Sequence, residues 1–292
     1  LMNTPLSGIG LGAAGIVVLC SMDATAKALG AHLPTFEIVF LRFIGAAIWL
    51  VLWIWLSRGA WPKRSNLGRH IMRGALFTVT AFMFFYAVSH LPLAIAAALA
   101  MTAPVYVTGL GMLALREPVR LQPVIALVLG GIGSAIIVFG GGDAVTGGSA
   151  DILAWGAAIL APLCYALTLV LLKHHSGDES AAAITLAQSV VAAAFTLPLA
   201  ASNFVIPTGI VAAQAVLIGI LGAGGFLLLI NGLKRVPVSV FAVLDYTGLI
   251  WAAVFGWLFF AEVPGVELYL GGALIIAACA VGARTSGKPV VA

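Results

Sequence analysis

The stretch PLAIAAALAMTAPVYVTGLGMLALRE at residues 92–117 returns, altered but without a gap, as PVSVFAVLDYTGLIWAAVFGWLFFAE at residues 237–262. A shift of 145 pairs Pro92 with Pro237, Ala97 with Ala242, Leu99 with Leu244, Thr102 with Thr247, Gly111 with Gly256 and Glu117 with Glu262. The opening span repeats too: a shift of 144 brings Gly12, Ala13, Ala14, Leu19 and Cys20 onto Gly156, Ala157, Ala158, Leu163 and Cys164. The chain reads as a tandem duplication of nearly half its length.

Both copies are apolar throughout, and so is the rest. Of 292 residues, 62% are hydrophobic and 8% charged, with mean hydropathy +1.16, whereas a soluble domain has about a quarter charged residues. Spanning a bilayer takes roughly 20 apolar residues per helix. The sequence offers ten such spans, at 7–30, 36–57, 70–90, 92–115, 121–140, 152–173, 181–201, 211–235, 237–260 and 265–283. The first apolar run lacks a preceding basic segment and is too long for a cleavable signal, so it is expected to remain as the first helix. Cys20, Cys164 and Cys279 all fall inside spans without CxxC spacing and read as small packing residues.

Charge sets the sidedness. Twelve of the fourteen Lys and Arg residues (Arg58, Lys63, Arg64, Arg69, Arg73, Arg116, Arg120, Lys173, Lys234, Arg235, Arg284 and Lys288) lie on alternate connectors or the C-terminal tail. The opposite connectors carry Asp143, Asp151, Glu262 and Glu267. By the positive-inside rule the basic loops and both termini are expected on the cytoplasmic side. A basic cytoplasmic face accounts for the pI of 9.2 without a nucleic-acid partner. Because each copy has an odd number of spans, five, the second must enter the membrane from the opposite side. The fold expected is thus an all-α membrane protein of ten transmembrane helices, built as two inverted five-helix repeats at 7–140 and 152–283. Inverted repeats place a binding site near the midplane and let one half rock against the other.

Pro92 and Pro237 open spans, where a missing N–H costs little. Pro104 and Pro162 lie mid-span and free the carbonyls of Ala100 and Ala158, marking a hinge, cavity wall or packing kink. The glycines at 219, 222, 224 and 225 read as helix-packing residues. Asp23, Lys27, Arg42 and Asp245 lie within spans, at about 2.5–3.5 kcal/mol each near the centre if unpaired. Asp23 and Lys27, four apart on one face, are expected to form a local ion pair. Arg42, in the second turn of its helix, is expected to snorkel to the near surface. Asp245 has no local partner.

Aromatic residues gather at similar depth on several spans, and with them Phe82, Tyr86, Met101, Tyr165, Asp245 and Tyr246 form the expected substrate pocket between the halves. Tyr at depth wants a hydrogen-bond partner. Trp49, Trp53, Trp55 and Trp61 read as an interfacial belt.

A pattern of Ala97, Pro104, Glu117-Pro118 and Gly130-Gly131, repeated as Ala242, Glu262 and Gly271-Gly272, makes the chain resemble the drug/metabolite transporter superfamily, EamA type, over both halves. Within it the bacterial aromatic amino-acid exporters are the most similar. The second copy departs from the pattern, with Leu249 for the proline and Val263 after the glutamate, which leaves a matching kink there open. The resemblance implies an inner-membrane exporter of amino acids working by alternating access, with no cofactor.

Two other classes compete. A membrane enzyme needs a nucleophile with a base, or a metal cluster; His174, His175, Asp178 and Glu179 instead form a polar loop without helical zinc-site spacing. A nucleotide-sugar or drug carrier of the same fold remains the alternative, and for nucleotide sugars Lys27 and Arg42 alone would face several phosphate charges.

Overall fold

The computed structural model describes residues 5–91, 93–100, 102–115, 121–140, 152–175, 179–202, 204–262 and 265–283. Their regular structure is helical, with no strand among the described residues. The helices are α1 (Pro5–Gly30), α2 (Thr35–Ser57), α3 (Leu67–His90), α4 (Leu93–Ala100), α5 (Ala103–Leu115) and α6 (Leu121–Gly140), followed by α7 (Ile152–His175), α8 (Ala181–Ser202), α9 (Gly209–Leu233), α10 (Val238–Asp245), α11 (Thr247–Phe260) and α12 (Val266–Ala283). Among the described residues, seven helical segments are long and apolar enough to cross a membrane. The expected Pro92, Met101, Glu117, Pro118, Asp143, Asp151 and Val263 features lie outside the described residues.

The duplicated stretch folds the same way in both copies, as two short helices with a break between them. In the first, Thr102 Oγ1 donates to Leu99 O at 2.9 Å. In the second, Thr247 Oγ1 donates to Leu244 O at 2.7 Å. These residues pair at the shift of 145, and a hydroxyl bonding back to the preceding turn competes with the helical ladder. The second copy breaks although Leu249 stands where the first copy has a proline. Leu249 N bonds Tyr246 O at 3.2 Å, a tight three-residue turn that starts α11. Pro104, expected mid-helix, is instead the second residue of α5, where its missing N–H leaves no partner stranded. Pro162 does lie inside α7.

Packing is dense where side chains are smallest. α1 lies along α9, and a Cβ on Gly232 would stand 2.7 Å from Gly12 N, one on Gly15 2.8 Å from Leu229 N. Gly219 of α9 meets Gly45 of α2 as closely. Backbones this near leave no room for side chains, which is how membrane helices gain dispersion contact without a hydrophobic driving force. Besides α6 with α12 and α2 with α8, helix pairings come in matched sets: α1 with α9 and α7 with α3, α2 with α9 and α8 with α3, α1 with α11 and α7 with α5. Outward-facing apolar side chains such as Trp53, Trp55, Leu56, Trp257 and Phe259 stay exposed. A soluble surface would not tolerate so continuous an apolar face; lipid would.

Candidate functional site

Where α1, α2, α3, α7, α9 and the two broken segments α4–α5 and α10–α11 meet, the bundle forms a cavity of about 160 Å³, part of it open to the outside. Phe77, Phe84, Phe85 and Phe226 form much of its wall, and Pro162 faces it from α7. Asp245, at the break between α10 and α11, also lines it.

Arg42 is the cavity's cation, and only 3% of it is exposed. It does not snorkel. Its guanidinium carbon sits 4.3 Å from the Phe43 ring centre, 5.2 Å from those of Phe77 and Phe226, and 5.6 Å from that of Phe85. Nε approaches Met22 Sδ at 3.1 Å, and Nη1 has no hydrogen-bond partner. Ring faces attract the cation and hold it within the bundle, where an outward path would have required lipid-facing placement.

Asp23 and Arg42 both line the cavity, and the ion pairs among the described residues do not join them. The expected Asp23–Lys27 pair does not form. Lys27 reaches outward from α1 and pairs with Glu262 at 3.1 Å, while also donating to Leu91 O at 3.0 Å and lying 5.4 Å from the Phe260 ring centre. Ala261, at φ 54°, turns the chain after α11, and Glu262 also accepts from Leu93 N at 3.3 Å. Lys27 thus finds a carboxylate and a carbonyl together, which a neighbour four residues away on its own helix does not supply. Both members are partly buried, so reversing Lys27 to Glu alone is expected to cost roughly 1–3 kcal/mol, between exposed and fully buried pairs. The exchanged pair Lys27→Glu with Glu262→Lys should recover part of that in thermal-unfolding midpoints. Purely additive losses would show that the pair does not couple α1 to the segment after α11.

Tyr165 and Asp245 of the expected pocket line the cavity and interact with one another; Asp245 Oδ2 keeps no partner. Tyr246 lies elsewhere, fully buried against α6, with its hydroxyl donating to Leu127 O at 3.2 Å and its ring filling the space over Gly130. Phe82 is exposed on the outer surface of α3 and stacks on Tyr86, which in turn stacks on His90. Neither faces the cavity. Cys20 does, donating to Gly248 O at 3.5 Å. Thr80 and the phenylalanine wall were not selected from sequence, because Phe and Thr are common on lipid-facing positions and nothing local marks which way they point.

A second polar cluster closes the end of the bundle that carries the basic connectors. Glu179 accepts from Lys63 N at 3.0 Å and Asn66 Nδ2 at 2.9 Å, and lies 3.2 Å from His70 Nε2. Lys234 Nζ donates to its backbone carbonyl. Burial pushes the Glu179 carboxyl up, but the hydrogen bonds from Asn66 and Lys63, with His70 beside them, hold it below its ordinary value. Arg73 Nη2 lies 2.9 Å from His70 Nδ1. No group of three metal-ligating side chains occurs among the described residues.

An apolar bundle enclosing a charged cavity defines a membrane carrier. The chain belongs to the EamA-like transporter family, which it matches over residues 6–139 and again over 152–282. It is 30% identical over 288 residues to the pseudopaline exporter CntI of Pseudomonas aeruginosa (strain UCBPP-PA14), covering 96% of each chain. It is 26% identical to the S-adenosylmethionine uptake transporter of Rickettsia felis, over 95% of this chain and 92% of that one. With the riboflavin transporter of Brucella anthropi the identity is 29%, over 84% and 87%. A crystal structure superposes with a TM-score of 0.79 at 20% identity, covering 96% of this chain and 99% of that one, so the fold is shared. The protein is an integral membrane transporter, and these relatives do not single out aromatic amino-acid exporters.

Proposed function

We propose that the chain exports amino acids with apolar or aromatic side chains across the bacterial inner membrane, by alternating access around the central cavity. The observation that carries this is the cavity itself: a phenylalanine wall suited to an apolar side chain, with a cation and two carboxylates for a polar end. The duplicated sequence and the matched helix pairings support two inverted five-helix repeats at 7–140 and 152–283, ten spans in all. The basic connectors support cytoplasmic termini. Relatives named for pseudopaline and riboflavin favour a second reading in which the solute is bulkier than an amino acid.

Purified protein in liposomes distinguishes these. Counterflow of labelled phenylalanine, leucine, riboflavin and a nucleotide sugar, with and without a proton gradient, should show the amino acids moving at least tenfold faster than the nucleotide sugar. Flux of riboflavin without any amino acid would replace the first reading by the second. In cells, a cysteine at Asn66 should resist an impermeant outside label and one at Thr146 should accept it; the reverse would overturn the orientation.

A further inference from the structure

Arg42 is held in a way that a structural ion pair does not require. Taking a guanidinium out of water is costly and it cannot escape by losing its proton. Structural arginines therefore usually spend their N–H groups on carboxylates or carbonyls. Here the four phenylalanine rings surround the guanidinium, stabilising the charge without consuming any donor. One N–H goes to the Met22 sulfur, a weak acceptor. Nη1 is buried and unpartnered, and the Arg42 side chain lines the cavity. Asp23 lines the same cavity, and the ion pairs among the described residues do not join it to Arg42.

We propose that Arg42 is the carboxylate receptor of this transporter, and that Asp23 takes the ammonium group of the same zwitterionic substrate. The substrate head group then bridges the two charges, with its side chain against Phe84 and the neighbouring wall. A planar guanidinium edge matches a carboxylate by paired hydrogen bonds. Such charge-assisted bonds are each worth about 1.5–3 kcal/mol, or roughly ten- to hundredfold in affinity. Apolar compounds with only an amine would meet an unsatisfied Arg42 and be rejected. This assignment rests on the reading that the cavity is the transport site for amino acids, and sharpens it into a rule about the head group.

The test uses the intact protein in liposomes. Competition against labelled L-phenylalanine is measured for L-phenylalanine, its carboxamide, phenethylamine and 3-phenylpropionate, in the native protein, Arg42→Lys, Arg42→Met and Asp23→Asn. The native protein should prefer the amino acid over its carboxamide at least tenfold. Arg42→Met should erase that preference, Arg42→Lys should keep part of it, and Asp23→Asn should narrow the gap between phenylalanine and 3-phenylpropionate. The native-protein comparison holds even where a variant folds poorly. If phenylalanine moves but its carboxamide competes equally, the head-group assignment is overturned while amino-acid export stands. If no amino acid moves, binding of 3-phenylpropionate against its own amide is read by thermal shift: an Arg42-dependent preference for the acid upholds the receptor and removes the amino-acid reading. Absence of that preference removes both.

Discussion

Gly232→Leu is expected to eliminate folded protein. Any side chain at this position starts 2.7 Å from Gly12 N and 2.9 Å from Gly8 O, both backbone atoms that cannot rotate aside. Overpacking a core usually costs about 1–3 kcal/mol, and here relief requires separating α1 from α9 along their length. That pairing carries the wall from which Asp23 and Cys20 face the cavity. The control lies on the same helix: a Cβ on Gly224 meets nothing within 4 Å, so Gly224→Leu should leave abundance unchanged. Detergent-solubilised protein run on size-exclusion chromatography reads both. Similar monodisperse peaks for the two variants would mean that the α1–α9 seam is not what holds the bundle together.

The sequence marked the membrane-spanning helical class and the duplicated segments, but not which helices meet along that seam. The gapless copy of 92–117 at 237–262 placed the duplicated segments, and uninterrupted apolar runs set helix limits within a few residues, as at α6 and α8. Less legible was the break in the second copy. The absent proline left it open, and the break falls at Thr247, which makes a side-chain hydrogen bond of the same kind that Thr102 makes. A threonine inside an apolar helix is ordinary enough to carry no such signal alone.

The site was legible in its charges and obscure in its partners. Asp23, Lys27, Arg42 and Asp245 stand out because ions in a span are expensive. What each ion meets depends on helices distant in sequence: Glu262 for Lys27, Phe77 and Phe226 for Arg42. Local reasoning offers Lys27 the carboxylate four residues away and sends Arg42 to the surface. Depth alone grouped Tyr246 with Asp245, yet adjacent helical residues point about 100° apart, so one enters the cavity while the other fills the groove over Gly130.

The central claim is that substrate passes through the cavity between α1, α3, α7 and the broken helices, and blocking that space tests it most directly. Ala100, at the end of α4, lines the cavity and is only half-buried, so Ala100→Phe should project a ring into it. Val79→Phe adds similar bulk at an exposed position on α3. Counterflow is measured in liposomes for both variants at equal protein content and matched thermal stability, using whichever solute the native protein carries. Ala100→Phe should lose transport by at least tenfold while Val79→Phe retains it. Native kinetics in Ala100→Phe would contradict a route through this cavity.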